Sequence, residues 1–349
     1  GDETRQLTGG IGYSLAWQGL GELTLGLQRT HYVKRVANPG VPQTSGTSNV
    51  TLPSASVAIN LAKGLTAYGS YVRGLEDAGT APSYAVNAYQ VLAAIRTKQY
   101  DAGLRWTPFK GTTLIGGYFW IQKPFIDIDR ANRFGELGDE THQGFEFSIT
   151  SDITKDLRVV AGGVYLDPTV QAAPTIAQPI GKHPVNQQRL RTRFNVNWTL
   201  PFAKALTLDA YVNHDAGAYA TVDNSLYAPG STRIGAGARY KFKLGGKNLT
   251  ARVSLFNIFD AYEAIPVASG IGSQSMVDRS RLTSSTARSA SQLRDGTYST
   301  DSRLPVASAT APSTSFTECP TPVPTLSTGQ GAPRRLTAHT AWTRSSTWR

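Results

Sequence analysis

The chain has 349 residues, enough for more than one domain, a formal net charge of +11 at pH 7, and one cysteine, Cys319. A single cysteine excludes an intrachain disulfide framework and a cysteine metal site, and the five histidines, His31, His142, His183, His214 and His339, lack ligand spacing. No run of about 18 apolar residues occurs, which excludes a spanning helix but not a spanning barrel, and the basic residues are scattered rather than interleaved with aromatics, which argues against nucleic acid as a partner.

Residues 1–7 are polar, without the apolar centre of a secretory signal, and an alternating strand begins at once. A protein bound for a membrane beyond the cytoplasm needs such a signal, so the chain is expected to have lost its beginning. From there, extended segments are joined alternately by a tight polar corner and a long excursion. The corners fall at 18–21, 62–64, 107–111, 151–156, 201–205 and 245–248, and carry Gly, Pro, Asp and Lys. The long connections fall at 36–52, 76–96, 128–139, 167–186, 218–230 and 260–277. Compact soluble domains rarely carry many loops beyond about 12 residues. Here they take every second connection, so all are expected on one side of the sheet, facing the outside of the cell.

Along the chain, 114–125 is apolar on both faces and its sides stay open. In 141–149, Gln143, Phe145, Phe147 and Ile149 alternate with His142, Gly144, Glu146 and Ser148. In 191–200, Phe194, Val196 and Trp198 alternate with Arg193, Asn195 and Asn197. Leu206, Leu208, Ala210 and Val212 then alternate with Thr207, Asp209, Tyr211 and Asn213, and Ile234 to Phe242 with Arg233, Arg239 and Lys241. A period of two sends one set to each face, one apolar enough for lipid and the other suited to a wet lumen. A soluble sandwich also alternates. Strands of about ten residues and aromatics near strand ends, Trp17, Tyr32, Trp106, Phe109, Phe125, Tyr165, Trp198, Phe202 and Phe259, favour the membrane barrel.

Three segments carry a family resemblance. QYDAGLRW (99–106) is one; IQKPFID (121–127) with HQGFEFSI (142–149) is the second; ARVSLFNIFDAYE (251–263) is the third, with Asn257, Ile258, Phe259, Asp260 and Tyr262. Together, in this order across 65–283, they resemble the C-terminal half of TonB-dependent outer-membrane receptors, particularly those for ferric siderophores. The resemblance implies an all-β fold, an antiparallel transmembrane β-barrel in the outer membrane of a Gram-negative bacterium. Such barrels have about 22 strands around a plugged lumen. About thirteen strands are legible here, and neither plug nor TonB-contacting segment is visible, so residues 1–283 are expected to be a partial barrel.

MVDRSRLT (276–283) looks like the start of a last barrel strand, and then the pattern stops. Residues 284–349 are Ser, Thr, Arg, Ala and Pro without periodicity or lysine, and are expected to be a disordered tail produced by a shifted reading frame.

The resemblance further implies recognition at the outer loops, with no cofactor and no bond chemistry, and uptake when TonB, with ExbB and ExbD, displaces the plug. Outer-membrane lipid is the surrounding partner. Guanidinium groups beside aromatic rings suit a bulky anionic metal chelate. The candidate residues are Arg73, Tyr84 and Tyr89, then Arg130, Arg133 and Phe134, then His183 and Asn186, and finally His214, Tyr219 and Tyr227. The enzyme alternative rests on Asp127, Asp129, Glu136, Asp139 and Glu140, which have no nucleophile or base motif near them. The other alternative is a passive porin or autotransporter barrel without energised uptake.

Overall fold

The computed structural model describes residues 1–262, 284–285 and 338–348. They form β1 (Asp2–Trp17), β2 (Gly21–Val36), β3 (Thr44–Ala62), β4 (Leu65–Glu76), β5 (Ile95–Trp106), β6 (Thr112–Ile128), β7 (Phe134–Thr154), β8 (Leu157–Ala172), β9 (Leu190–Thr199) and β10 (Leu206–Asp215). There follow β11 (Ala218–Tyr219), β12 (Tyr227–Ala228), β13 (Ser231–Leu244), β14 (Lys247–Leu255), β15 (Ser284–Ser285) and β16 (Ala338–Trp348). β11 and β12 make a small hairpin, and the other strands form one 14-stranded sheet. From β1 to β14 each strand pairs antiparallel with the next in sequence, β10 passing to β13. β15 and β16 lie at the two edges, so the described sheet is not closed into a ring.

All six short corners form where the alternation puts them. One of the tightest joins β13 to β14 through Gly245 and Gly246, both at positive φ (57° and 75°), the backbone of a type I′ turn whose twist matches its strands. Many strands are longer than the expected ten or so residues: β1, β2 and β8 have 16, β6 has 17, β3 has 19 and β7 has 21. They continue past the apolar band as paired hairpins, because ladder bonding continues for as long as a partner runs alongside. Two expected long loops shrink accordingly, since β3 already begins at Thr44 and β7 at Phe134.

Of the stretch 284–349, expected to lack structure, the described pieces are both strands. β16 pairs with β1 from Glu3↔Trp348 to Tyr13↔Ala338. Its sequence holds three threonines and two tryptophans, which are good strand formers, and an edge strand pairs with such a segment whatever its polar pattern. Residues 263–283, which include most of the expected loop at 260–277 and the strand start at 276–283, lie outside the described residues, as do 286–337 and Arg349.

The register assigns every face. One face carries Asp209, Asn197, Arg239 and Arg252, and the same face of β2, β3 and β5 carries Thr30, Lys34, Val50, Leu52 and Thr97, buried beneath the long loops. That face is the lumen. The opposite face is apolar yet exposed, with Ile11, Leu25, Leu104, Phe147, Phe194, Leu208 and Val253, as lipid contact requires. It also settles 114–125. Leu114, Gly116, Tyr118 and Trp120 pair with outward Ile149, Phe147, Phe145 and Gln143, so Ile115, Phe119 and Ile121 face inward.

Aromatics bound the lipid band. Towards the long loops, Tyr71, Tyr100 and Trp120 sit side by side on β4, β5 and β6, with ring centroids 4.9 Å and 5.6 Å apart, and Tyr118 packs on Phe145 at 5.3 Å. Towards the short corners stand Trp17, Trp106, Trp198 and Phe202, all exposed. Two interfacial belts are the expected mark of a membrane barrel. Tyr32, expected at an interface, instead faces inward and is buried, because β2 continues above the band.

An arginine placed at Val196, on the lipid face between Val159 and Ala210, is expected to cost roughly 2–4 kcal/mol of folding free energy in bilayers, and one at the neighbouring lumenal Asn195 far less. Urea titration of both variants in vesicles measures the difference.

Candidate functional site

Above the sheet the long loops interlock in two groups. In the first, 77–94 packs on 129–133. Asn87 and Phe134 exchange two hydrogen bonds, Asn87 Nδ2 to the Phe134 carbonyl and Phe134 N to Asn87 Oδ1, each 2.9 Å. Ala81, Ala85, Ile128 and Phe134 form a small apolar centre under them, flanked by Leu92 and Ile126. The same loop reaches back over β3. Ala94 N donates to Ser48 Oγ, Val91 lies against Gly46 where a Cβ would approach within 2.8 Å, and Asp77 accepts from the buried Lys34 Nζ at 2.5 Å. Burial, reinforced by the Asp77 carboxylate, pushes the Tyr32 phenol beside this pair up to about 12.

In the second group, 173–189 meets 216–230. His183 stacks on Tyr219 with ring centroids 5.4 Å apart and planes 3° from parallel, and Tyr227 meets Tyr219 edge-on at 5.3 Å. Asn224 latches the two loops, its Oδ1 accepting from His183 N at 2.9 Å and its Nδ2 donating to the His183 carbonyl at 2.8 Å. Asn186 N donates to the Tyr219 carbonyl. Asn186 and Asn224 both hold φ of 60°, a left-handed backbone that asparagine tolerates better than most residues. Arg130 N and Ala177 N bond across to the carbonyls of Thr175 and Ile128, tying the two groups together.

The structure therefore gathers His183, Asn186, Tyr219 and Tyr227 in one place. Tyr84, Tyr89, Arg130, Arg133 and Phe134 belong to the first group, with Phe134 buried in its centre and Tyr84 exposed. Arg73 and His214 join neither. Both stand on the outward face, Arg73 Nε donating to the Tyr71 hydroxyl at 2.7 Å and His214 Nδ1 bonded to Thr232 Oγ1 at 2.8 Å. Three of the carboxylates of 127–140, Asp127, Asp129 and Glu140, have local partners. Asp127 accepts from Ile128 N and Asp129 from Arg133 N. Burial raises the Glu140 carboxyl, but the His142 hydrogen bond and the Lys123 charge outweigh it and hold it below its ordinary range. Among the described residues no cluster of His, Cys, Asp or Glu is placed to hold a metal ion.

Beneath the second group lies a feature that the loop residues do not announce. Asp215, buried at the root of the 216–230 loop, is met by Arg193 at 2.6 Å, Arg233 at 3.0 Å and Arg191 at 3.9 Å. Further down the same wall, Asp209 lies 3.5 Å from Arg239 and 3.6 Å from Arg252, and Arg239 donates to Asn197 Oδ1 at 2.7 Å. Tyr211 stands between the two levels with its ring over Gly235, where a Cβ would come within 2.3 Å of Tyr211 Cε1. Five guanidinium groups thus surround two carboxylates, and their side chains are partly open to the lumen. The sequence holds the signal in the matching parity of 191, 193, 209, 215, 233 and 239. Such a wall attracts anions by its net field and can grip carboxylate, hydroxamate or phenolate oxygens by charge-assisted hydrogen bonds.

Comparison with known proteins agrees with this architecture. Residues 10–258 match the family model described as TonB dependent receptor-like, beta-barrel. The chain is 25% identical over 245 residues to the ferrichrome receptor FcuA of Yersinia enterocolitica, covering 68% of this chain but 32% of that protein. It superposes on BauA, the ferric preacinetobactin receptor of Acinetobacter baumannii, with a TM-score of 0.65 at 22% identity, over 79% of this chain and 42% of that one. The ferric yersiniabactin uptake receptor FyuA of Yersinia pestis gives a TM-score of 0.63 at 16% identity, over 80% and 44%. The chain thus spans about a third of the curated relative's length and less than half of each solved receptor. With a lumen lined by polar residues, a lipid face between two aromatic belts, and a family match across most of its sheet, this chain belongs to the TonB-dependent receptor family and carries a section of its β-barrel.

Proposed function

We propose that this barrel section serves an outer-membrane receptor of a Gram-negative bacterium that takes up a ferric siderophore or a similar large anionic metal chelate. In this reading the import step is driven by TonB with ExbB and ExbD, acting through a plug carried elsewhere in the protein. The observation that carries the ligand class is the column of five arginines below the interlocked loops. A neutral solute gains no field attraction from such a wall. A chelate with outward oxygens gains field attraction and directed hydrogen bonds, and the His183–Tyr219–Tyr227 cluster above it offers flat aromatic surface. Similarity to a ferrichrome receptor and to a ferric preacinetobactin receptor supports the same class.

The test is uptake of radiolabelled iron by iron-starved cells making the full-length protein, with ferric hydroxamate, catecholate and citrate chelates offered in turn. Uptake of one of them that stops on collapsing the inner-membrane potential is the expected result. Potential-independent passage of small solutes with no chelate preference would replace the reading by a passive pore. Arg193→Gln together with Arg233→Gln is expected to raise the half-saturating chelate concentration by about tenfold or more, since each lost charge-assisted hydrogen bond is worth about 1.5–3 kcal/mol.

Orientation is tested separately. Cysteines at Tyr84 and Tyr227, both exposed in the long loops, are expected to react with an impermeant maleimide on whole cells, and one at Lys204, in a short corner, only after lysis. The reverse pattern would turn the barrel over.

A further inference from the structure

The lumenal arginines of β9 to β14 are all met by aspartates, whereas a second set of cations on the outward face is not. Immediately above the Tyr71–Tyr100–Trp120 belt, at the next pair on the same face of the ladder, Arg73 stands directly opposite Lys98, and Arg96 follows two residues on, opposite Leu75. Lys98 and Arg96 are exposed. Arg29, on β2, shares this face and bonds Thr51 Oγ1 at 3.2 Å. Among the described residues none of these four cations forms an ion pair; the Arg73 guanidinium instead rests on the Tyr71 hydroxyl at 2.7 Å, which holds it at the height of the belt.

Two physical facts make this arrangement informative. Like charges directly opposite across an antiparallel pair destabilise the sheet unless something neutralises them. Tyrosine and tryptophan belts mark the level of the lipid headgroups, so the row just above Tyr71, Tyr100 and Trp120 lies among phosphates. Spacing also fits. Lys98 and Arg96 are roughly 6.6 Å apart along the strand and Arg73 and Lys98 roughly 5 Å apart across it, within reach of one phosphate or of two neighbouring ones.

We infer that Arg73, Arg96 and Lys98, flanked by Arg29, form a docking surface for the phosphate groups of anionic lipid in the leaflet on the long-loop side. This rests on the membrane-barrel reading above. The lipid supplies the counter-charge that the protein omits here, and the aromatic belt below supplies the apolar shelf for its chains.

The experiment compares the full-length protein with its Lys98→Gln and Arg73→Gln variants, inserted into vesicles of phosphatidylcholine alone or with phosphatidylglycerol added. Insertion is first scored by heat-modifiable gel migration. In phosphatidylcholine, removing either charge is expected to raise the urea midpoint, because the like-charge pair is relieved. In phosphatidylglycerol the same variants are expected to lower it, and native mass spectrometry is expected to show phosphatidylglycerol bound about fivefold more weakly for each charge removed. Lys204→Gln, at the opposite rim, keeps the parent's lipid preference. A stability change of one sign in both bilayers, or unchanged phosphatidylglycerol binding, overturns the inference, as does displacement of the lipid by inorganic phosphate, which would make this a free-phosphate site. A protein that inserts without lipid preference sinks this inference alone; one that never inserts sinks the membrane reading as well.

Discussion

Backbone groups in hydrocarbon have no water to turn to, and the architecture follows from that constraint. Apart from the β11–β12 hairpin, each strand from β1 to β14 bonds to its neighbours on both sides, so the ladder satisfies donors and acceptors without leaving the sheet. A meander of antiparallel neighbours is the simplest chain path that does so, because consecutive strands need only a corner to pair. The segment at β16 obeys the same demand. It lies along the outer edge of β1, where an unpaired row of amides would otherwise be exposed.

Once pairing is continuous, the register divides polar from apolar side chains across the whole sheet. The lipid side is uniform, whereas the lumenal side is graded. The wall from β9 to β14 carries the arginines around Asp209 and Asp215, while β5 to β7 carry Asp101, Glu146 and Glu140. Tyr68 lies along the latter stretch, and a Cβ on Gly103 or Gly117 would come within 2.6 Å of its phenol group, so both positions need glycine if the ring is to cross two strands. The lumen is therefore lined by two chemically different surfaces set in one rigid ladder.

Much of this division is legible in the order of the residues. The period of two in 191–213 and 233–242 places Arg193, Asp209, Arg233 and Arg239 on one face, and glycine or proline marks five of the six short corners, the sixth, 151–156, carrying Asp and Lys instead. The rest depends on partners distant in sequence. The sides of 114–125 stay open by pattern because both faces are apolar; pairing with β7 resolves them. Strand ends are obscure where hairpins rise above the membrane, since polar residues there look like loop. Of the candidate site, His183, Asn186, Tyr219 and Tyr227 stand out within separate loops, but their meeting depends on Asn224, whose latch no local pattern shows. Arg73 has the parity of Tyr71 and so faces outward, away from the loops it was expected to join. Asp215 shares the parity of Asp209, but a carboxylate just before a loop resembles a turn residue, so parity alone does not show that three arginines meet on it.

The 77–94 loop is fastened back to β2 and β3 through Asp77, Ala94 and Val91, and forward to 129–133 through Asn87. A loop anchored at both flanks has little freedom left to lose when something settles on it. Its share of any binding surface is therefore organised in advance, and the entropy of ordering is borne by folding rather than by association. A tethered rim of this kind favours selectivity by shape over adaptation, discriminating among ligands that a mobile loop would accept alike.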